Sequence, residues 1–344
     1  MKINEAKIKN IVDSKTLDIR KTGYGRWIDQ KCTPDVVSAV ADIVDSITNS
    51  EQPMDWFTAK DVWFSEYARE NILEQFNKSD PTKKSAVAEY NKFYQQPLNL
   101  LAYAGVLEMS KKGRSNVYHV INPELLEYIG LSERNALKFL QVYITEVLIH
   151  SGLYGMFETF FDNQTEESLS TVKTKFRDFC HQYTNIKKEL EPNRIFPKIL
   201  NPLAAERHKL GIFRGRLSKE TITYASLMYN AKNFRDIFSK KPKNISRQEW
   251  LRMHPVDEKI EAKFRADSAK AKKYVRRFND RYFDGKSELH DDMATGKATQ
   301  MHHIFPQHNF KEIAGYTENI IALTASQHYQ EAHPNNQTYK IDLD

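Results

Sequence analysis

Long stretches of helical hydrophobic period, interrupted by a few short β-prone runs, set the organisation of this chain. Val36, Val37, Val40, Ala41, Ile43 and Val44 recur at helical spacing behind Thr33-Pro34, which predicts a packed helix opening on that pair. Thr58 is placed to cap a helix through Val62, Trp63, Tyr67 and Ile72, and a break over 78–85 containing Lys, Ser and Pro precedes a second helix. That helix carries Tyr90, Phe93, Tyr94, Leu98, Leu101 and Ala102 at steps of three and four, has Pro97 bearing on its boundaries, and stops near Gly105. Val106 to Met109 and Val117 to Ile121 then predict two short strands around the basic turn Ser110-Lys111-Lys112-Gly113-Arg114-Ser115-Asn116.

Further on, Leu137, Phe139, Leu140, Tyr143, Ile144, Val147 and Leu148 mark one side of a helix ended by Ser151-Gly152, and Tyr154, Phe157, Phe160 and Phe161 continue the aromatic series. At such spacing these rings build a core or a dimer surface rather than a ligand box. Glu191-Pro192-Asn193 and Asn201-Pro202-Leu203 read as loops, as does the basic, glycine-bearing segment Arg207 to Arg216. Tyr224, Met228, Tyr229, Phe234 and Trp250 predict another packed helical region, with a loop over Ser239-Lys240-Lys241-Pro242-Lys243. A helix from Val256 to Tyr282 follows, released at Asp284-Gly285. The resulting expectation is an α+β protein with three regions: a mostly helical 1–130, a helical scaffold over 131–255, and a C-terminal domain over 256–344.

Composition narrows the class. With 344 residues, 40% hydrophobic and 12% aromatic, the chain can bury two or three cores without staples. No apolar run approaches a membrane span, and Met1 to Lys7 lacks the apolar core of a signal peptide, so the expected compartment is the cytoplasm. Cys32 and Cys180, far apart, fit free buried thiols, and His181 beside Cys180 has no companions at ligand spacing. The formal net charge of +6 is modest, but its placement is uneven. Lys263, Arg265, Lys270, Lys272, Lys273, Arg276, Arg277, Arg281 and Lys286 crowd the predicted helix, a run that can hold phosphate or simply solvate a helix face.

A helix pair feeding a two-stranded ribbon with a basic tip resembles a winged helix-turn-helix over about 56–129. That resemblance implies DNA contact, with Lys111, Lys112 and Arg114 on the wing, although such units also serve protein interaction. Arg214 and Arg216 in the basic loop are phosphate or guanine contacts on one reading and a solvated turn on the other. Arg26 beside Trp27 could stack on a base, but a tryptophan there reads as core.

The densest chemistry lies at the end. Residues 302–333 hold five of the eleven histidines, His302, His303, His308, His328 and His333, together with Asn319. In an extended strand His302 and His303 point to opposite faces and cannot serve one metal together, so they take different tasks. One can hold a cation while its neutral neighbour accepts a proton. Asn319 opens a second β-prone run through Leu323, and Thr324 is placed to cap a helix bearing His328.

Residues 299–333 resemble the HNH, or ββα-metal, nuclease motif. The order carrying the resemblance is His302, then His303 in His-Ile-Phe-Pro, then Asn319, then His328. It implies His302 and His328 as ligands of Mg²⁺ (or Mn²⁺), His303 as the base activating water, and Asn319 as the residue steadying the catalytic loop. His333 lies five residues after His328, roughly 140° around a helix, which suits a phosphate contact or a helix end better than a ligand. His308 matches no motif position. The cysteine pairs that brace many HNH domains are absent, so no structural zinc is expected; a zinc site of His302, His328 and His333 would leave His303 and Asn319 without a role.

As a whole the chain resembles a type II restriction endonuclease with an HNH site. The partners implied are double-stranded DNA, a second copy of the chain with residues 133–161 as its interface, and a companion DNA methyltransferase acting on the same site; no membrane is implied. Competing readings are a modification-dependent HNH endonuclease and, outside the enzymes, a winged-helix regulator whose C-terminus senses metal.

Overall fold

The structure, a computed structural model, describes residues 3–50, 52–76, 82, 87–229, 242, 245–255, 258–328 and 332. It is a mixed α+β protein with small antiparallel sheets. Two compact units are present: unit 1 comprises Met1–Leu73 and Lys78–Ala231, and unit 2 comprises Glu74–Asn77 and Lys232–Asp344. The expected boundary after residue 130 therefore falls inside unit 1, because the helices that follow it pack onto those before it.

Unit 1 begins with helices α1 (Glu5–Asp13), α2 (Ile19–Thr22) and α3 (Pro34–Thr48), the last opened by Thr33 with Pro34 in its first turn, as its sequence predicts. Strand β1 (Phe57–Thr58) runs into α4 (Ala59–Phe64), where Thr58 and Asp61 form a reciprocal capping box. The single helix expected through Ile72 is two: Ser65, at φ −60° and ψ 144°, breaks it before α5 (Glu66–Gln75). Helix α6 (Val87–Tyr103) runs through the buried Pro97 without ending there, at the cost of one backbone hydrogen bond.

Strands β2 (Leu107–Lys112) and β3 (Ser115–Val120) form an antiparallel hairpin turned at Gly113-Arg114, so the strands reach further into the basic tip than the wide turn expected. The sheet order is β1-β3-β2, with Phe57 opposite Tyr118 and Leu107 opposite Val120.

Helices α7 (Pro123–Leu131), α8 (Glu133–His150), α9 (Tyr154–Asp162), α10 (Glu166–Tyr183) and α11 (Leu190–Glu206) complete the helical body. Helix α8 packs against both α1 and α3. Phe139, Tyr143, Phe157, Phe160 and Phe161 are buried inside this body, and the Tyr143 hydroxyl donates to the Trp27 carbonyl at 2.7 Å. These five rings are thus core, while Tyr154 is half-buried and accepts from Arg207 at 2.8 Å. Trp27 is core as well, and Arg26 is taken up by Asp29 and Glu191. Cys32 and Cys180 are free and buried, and burial pushes the Cys180 thiol up to about 12, away from reactivity.

Two expectations for this region are corrected. The Pro192 and Pro202 segments read as loops, yet both lie in α11: Pro192 occupies its first turn, where a missing N–H costs nothing, and Pro202 is held inside by burial. The Pro202 carbonyl accepts from Gln141 Nε2 at 3.1 Å. The basic loop 207–216 is instead a hairpin of β4 (Leu210–Phe213) and β5 (Arg216–Thr221). Its two-residue turn, Arg214 and Gly215, takes positive φ at both positions (49° and 84°), the geometry that matches strand twist. Gly211 allows the close approach of Asn201, whose amide clamps both Ile212 N–H and C=O; a Cβ there would meet Asn201 Oδ1 at 2.5 Å.

Unit 2 contains α12 (Arg247–Met253), the long α13 (Glu258–Tyr282), strands β6 (Gln300–His303) and β7 (Ile320–Leu323), and the short α14 (Ala325–Gln327). The turn after α13 takes positive φ at Asp284 and Gly285, as expected. Phe234 and most of the loop over 239–243 lie outside the described residues. Among the described residues, no helix is long and apolar enough to cross a membrane.

Candidate functional site

The site is built on two strands, one long helix and one helix start, all in unit 2. Strands β6 and β7 pair antiparallel with Met301 opposite Ala322, His302 opposite Ile321 and His303 opposite Ile320. Strand alternation sends Met301, Ile320 and Ala322 into a small core with Ala271, Ala298 and Val275. His303 shares that face and meets Ser268 of α13, while His302 looks the other way. Both imidazoles are largely shielded, at 7% and 6% exposure, which is unusual for adjacent histidines without a task.

His303 Nε2 lies 3.0 Å from the Ala314 carbonyl and 3.2 Å from Ser268 Oγ. A carbonyl can only accept, so Nε2 carries the proton and the lone pair of the neutral ring sits on Nδ1. Ser268 can accept from that N–H while passing its own hydroxyl proton toward Gln307 Oε1 at 3.4 Å. Burial, and then the Lys272 ammonium, hold the imidazole below the usual histidine value of 6.5, against a smaller opposing effect of the Ala314 bond. The ring is therefore kept neutral, with one fixed tautomer.

Asn319, 4% exposed at the end of a 3₁₀ turn, ties the loop that leaves His303. Its Oδ1 accepts from Phe305 N–H at 2.7 Å, its Nδ2 donates to the Phe305 carbonyl at 3.1 Å and to the Ile313 carbonyl at 3.4 Å, and its own carbonyl accepts from Ile304 N–H at 3.0 Å. Ile313 directly precedes Ala314. One side chain thus fixes both the loop after the histidine and the strand of backbone that sets its tautomer.

Helix α14 is placed by a dense polar cap. Thr324 and Gln327 form a capping box, Gln327 Oε1 also accepts from Ser287 Oγ at 2.6 Å, and Gln327 Nε2 donates to Asp291 Oδ2 at 2.7 Å and to the Leu289 carbonyl at 3.1 Å. The cap delivers His328 to His302: their ring centres stand 5.1 Å apart with planes at 76°. With metal–nitrogen bonds of about 2.1 Å, two imidazoles sharing one ion have ring centres on the order of 5 Å apart. That spacing admits a shared cation and is equally that of an ordinary edge-to-face ring contact; of the divalent metals, an all-imidazole pair would suit Mn²⁺ or a later one better than the oxygen-seeking Mg²⁺.

Other expected site residues are dispersed. Lys111, Lys112 and Arg114 are exposed around the β2–β3 turn, and Arg214 and Arg216 are exposed at the β4–β5 tip, where the Arg214 guanidinium lies 5.3 Å from the exposed Phe213 ring. Arg276 donates to the Thr299 carbonyl at 2.6 Å just before β6, and Arg277 is half-buried on α13. His308 is exposed in the loop, and His333 lies outside the described residues.

Sequence reading missed Ser268, Ala314 and the anchoring role of Gln327, and gave Lys272 only as one cation of the basic run. Thr324-x-x-Gln327 was a legible capping signal, whereas a carbonyl partner such as that of Ala314 has no side-chain signature. It also missed Asp13, Glu146 and His150, whose ligand atoms lie within 4.8 Å of one another. Lys9 Nζ already bridges Asp13 (2.8 Å) and Glu146 (2.5 Å), so this group is an ion-pair network rather than an open metal site.

No family model matches this chain, and no curated protein or solved structure matches it either.

Proposed function

We propose that unit 2 is an HNH-type nuclease centre that hydrolyses phosphodiester bonds in DNA. The observation that carries this reading is the His303 imidazole, clamped through Nε2–H onto the Ala314 carbonyl so that Nδ1 is left as a base. His303 Nδ1 takes a proton from water as the water oxygen bonds to phosphorus; the bond to the 3′ oxygen breaks and that oxygen takes a proton from solvent, leaving a 5′-phosphate and a 3′-hydroxyl. Asn319 holds the loop so that the imidazole does not have to reorganise during the step. Where a Mn²⁺ or Mg²⁺ ion is bound by His302 and His328, it would stabilise charge on the phosphorane oxygens and the departing oxygen.

The order of α3, β1, α4 to α6 and the β2–β3 hairpin, with sheet order β1-β3-β2, supports a winged-helix-like reading unit in unit 1. On that reading α6 is the groove-facing helix and Lys111, Lys112 and Arg114 touch backbone phosphates. A type II restriction enzyme is the whole-chain role that combines a DNA-reading unit with such a centre; it carries a companion methyltransferase. One centre cuts one strand, so double-strand scission requires a second copy or two successive nicks.

The test is plasmid and genomic DNA incubated with the purified chain in Mn²⁺ or Mg²⁺, with fragment ends mapped. His303→Ala is expected to lose scission by about 10²- to 10⁴-fold while keeping DNA binding. A His303→Ala chain that still cuts at the wild-type rate sinks the mechanism, and sequence-specific binding without any scission favours a regulator. Plasmids grown with and without methyltransferases separate a modification-dependent enzyme from a restriction enzyme.

A further inference from the structure

Helix α13 presents an aromatic ridge that the proposed hydrolysis does not use. Tyr274, Phe278 and Tyr282 follow one another at steps of four, and Phe283 adjoins them at the helix end. Phe278, Tyr282 and Phe283 are 43%, 54% and 55% exposed. The rings form a continuous series: Tyr274 to Phe278 at 6.2 Å, Phe278 to Tyr282 at 4.7 Å and Phe278 to Phe283 at 6.0 Å between centres. Three large exposed rings in sequence are a marked expense of apolar surface on a helix whose inward positions, such as Ala271 and Asn279, are 2% exposed.

Cations run beside the ridge. Lys270, Arg277 and Arg281 lie three or four residues from the aromatics along the same side of the helix, and the Arg281 guanidinium stands 6.0 Å from the Tyr282 ring centre. Over residues 263–286 there are nine Lys and Arg against three acids, Asp267, Asp280 and Asp284, a difference of +6 that equals the formal net charge of the whole chain. This charge argues against a second copy of the same face, which would bring like charges together, and for a polyanion.

An intact duplex offers a polyanion its phosphates and groove edges but keeps its base faces stacked inside. A row of exposed rings gains nothing from it. An unpaired strand offers both phosphates for the guanidinium groups and base faces for the rings, the combination that single-strand-binding surfaces use. We propose that the ridge of Tyr274, Phe278, Tyr282 and Phe283 on α13 binds single-stranded DNA, with bases stacked on the rings and phosphates on Lys270, Arg277 and Arg281. Arg276, which bonds the Thr299 carbonyl, ties this helix to the start of the strand bearing His302 and His303. Taken together with the nuclease reading, on which this consequence rests, the ridge directs the centre toward DNA containing an unpaired strand, such as a flap, a gap or a frayed end.

The experiment measures fluorescence anisotropy of a short labelled oligonucleotide, single-stranded or annealed to its complement, with the full-length His303→Ala chain in EDTA so that no cleavage intervenes. Phe278→Ala with Tyr282→Ala is expected to weaken single-strand binding about tenfold or more, with duplex binding changed less than about twofold. Replacing both residues by Trp is expected to restore it, and Tyr282→Ala alone, at an exposed position, shifts affinity in the same direction. Equal losses on both DNAs, or unchanged single-strand affinity, overturn the proposal. So does a sedimentation mass that falls on Phe278→Ala/Tyr282→Ala, which marks the ridge as a protein interface. If the ridge pattern holds but the wild-type chain cuts nothing in Mn²⁺ or Mg²⁺, the nuclease reading fails alone; scission that persists without a ridge effect removes the ridge alone.

Discussion

Unit 1 buries Trp27, Tyr94, Tyr118, Tyr143 and a set of phenylalanines completely, whereas among the described residues unit 2 has a small apolar cluster of three alanines, Met301 and Ile320 with Val275 against them, and buries Phe264, Ala314 and Leu323 besides. All twelve of the largest fully buried side chains among the described residues belong to unit 1. Beside that cluster unit 2 buries Lys263, Ser268, Asn279, Ser287, His302, His303, Asn319, Thr324 and Gln327, whereas the polar groups that unit 1 buries, Asp35 and Asp45 among them, sit within a far larger apolar core. The first kind of interior is stabilised by apolar area and is indifferent to chemistry. The second relies mostly on hydrogen-bonded polar groups, with Asn279 Oδ1 left without a partner, and several of those groups are the candidate site itself. Stability and chemistry are therefore separable in unit 1 and coupled in unit 2.

The strongest way to break that contrast is to damage each interior and ask what else is lost. Phe157→Ala, removing a fully buried ring of α9 that stacks on Phe196 at 5.8 Å, is expected to destabilise unit 1 by about 3–5 kcal/mol. Calorimetry should show the lost stability, while metal-dependent scission below the transition keeps its rate. Asn319→Ala, by contrast, strands Phe305 N–H and C=O and loosens the backbone around Ala314. About 1–3 kcal/mol per buried group left unpaired is expected, and scission should fall with it. Should Asn319→Ala lose stability but cut normally, site and scaffold are not coupled in unit 2. Asn319→Asp keeps the acceptor for Phe305 N–H and loses both donated bonds, so it is expected to fall between the two.

Much of this division was legible in the order of residues. The helices at 34–48, 133–150 and 258–282 and the strands holding His302, His303 and residues 320–323 follow from hydrophobic period and caps, because local sequence and tertiary packing agree there. Where they disagree, the reading failed. Pro192 and Pro202 look like breaks until the burial of α11 is known, and Arg214-Gly215 looks like an open loop until the strands beside it are seen to pair. At the site, the side-chain donors were visible as types at ordered spacing. The Ala314 carbonyl and Ser268 were not, since a backbone acceptor leaves no trace in sequence and a serine 35 residues from His303 is brought near only by the packing of α13 on β6.

A smaller effect compares the caps. Thr58 and Thr324 both close capping boxes, each with a side-chain oxygen accepting a backbone N–H three residues on. Thr58→Ala and Thr324→Ala are each expected to cost about 1 kcal/mol in chemical denaturation. Thr324 also donates to the Met293 carbonyl at 2.9 Å and starts the helix that carries His328. Only Thr324→Ala should therefore weaken Mn²⁺ binding, measured by titration of the ion; equal metal affinity in both variants would show that the α14 cap is merely structural.

The finest probe is the charge beside His303. Lys272, itself pushed below the usual lysine value by burial, is the second cause, after burial, that holds the His303 imidazole below 6.5. As pH falls through that lowered value the ring gains a proton and can no longer act as a base, so scission should decline on an acid limb lying below 6.5. The unfolded chain takes up its proton earlier, near 6.5, so unit 2 should also lose stability as pH falls from there toward the folded value. Lys272→Met removes the repulsion and raises the imidazole toward its ordinary range. The acid limb should then move up in pH, by less than about one unit because the burial remains, and the stability loss should shrink. A limb that stays in place, or moves down, would show that Lys272 does not set the proton affinity of the base.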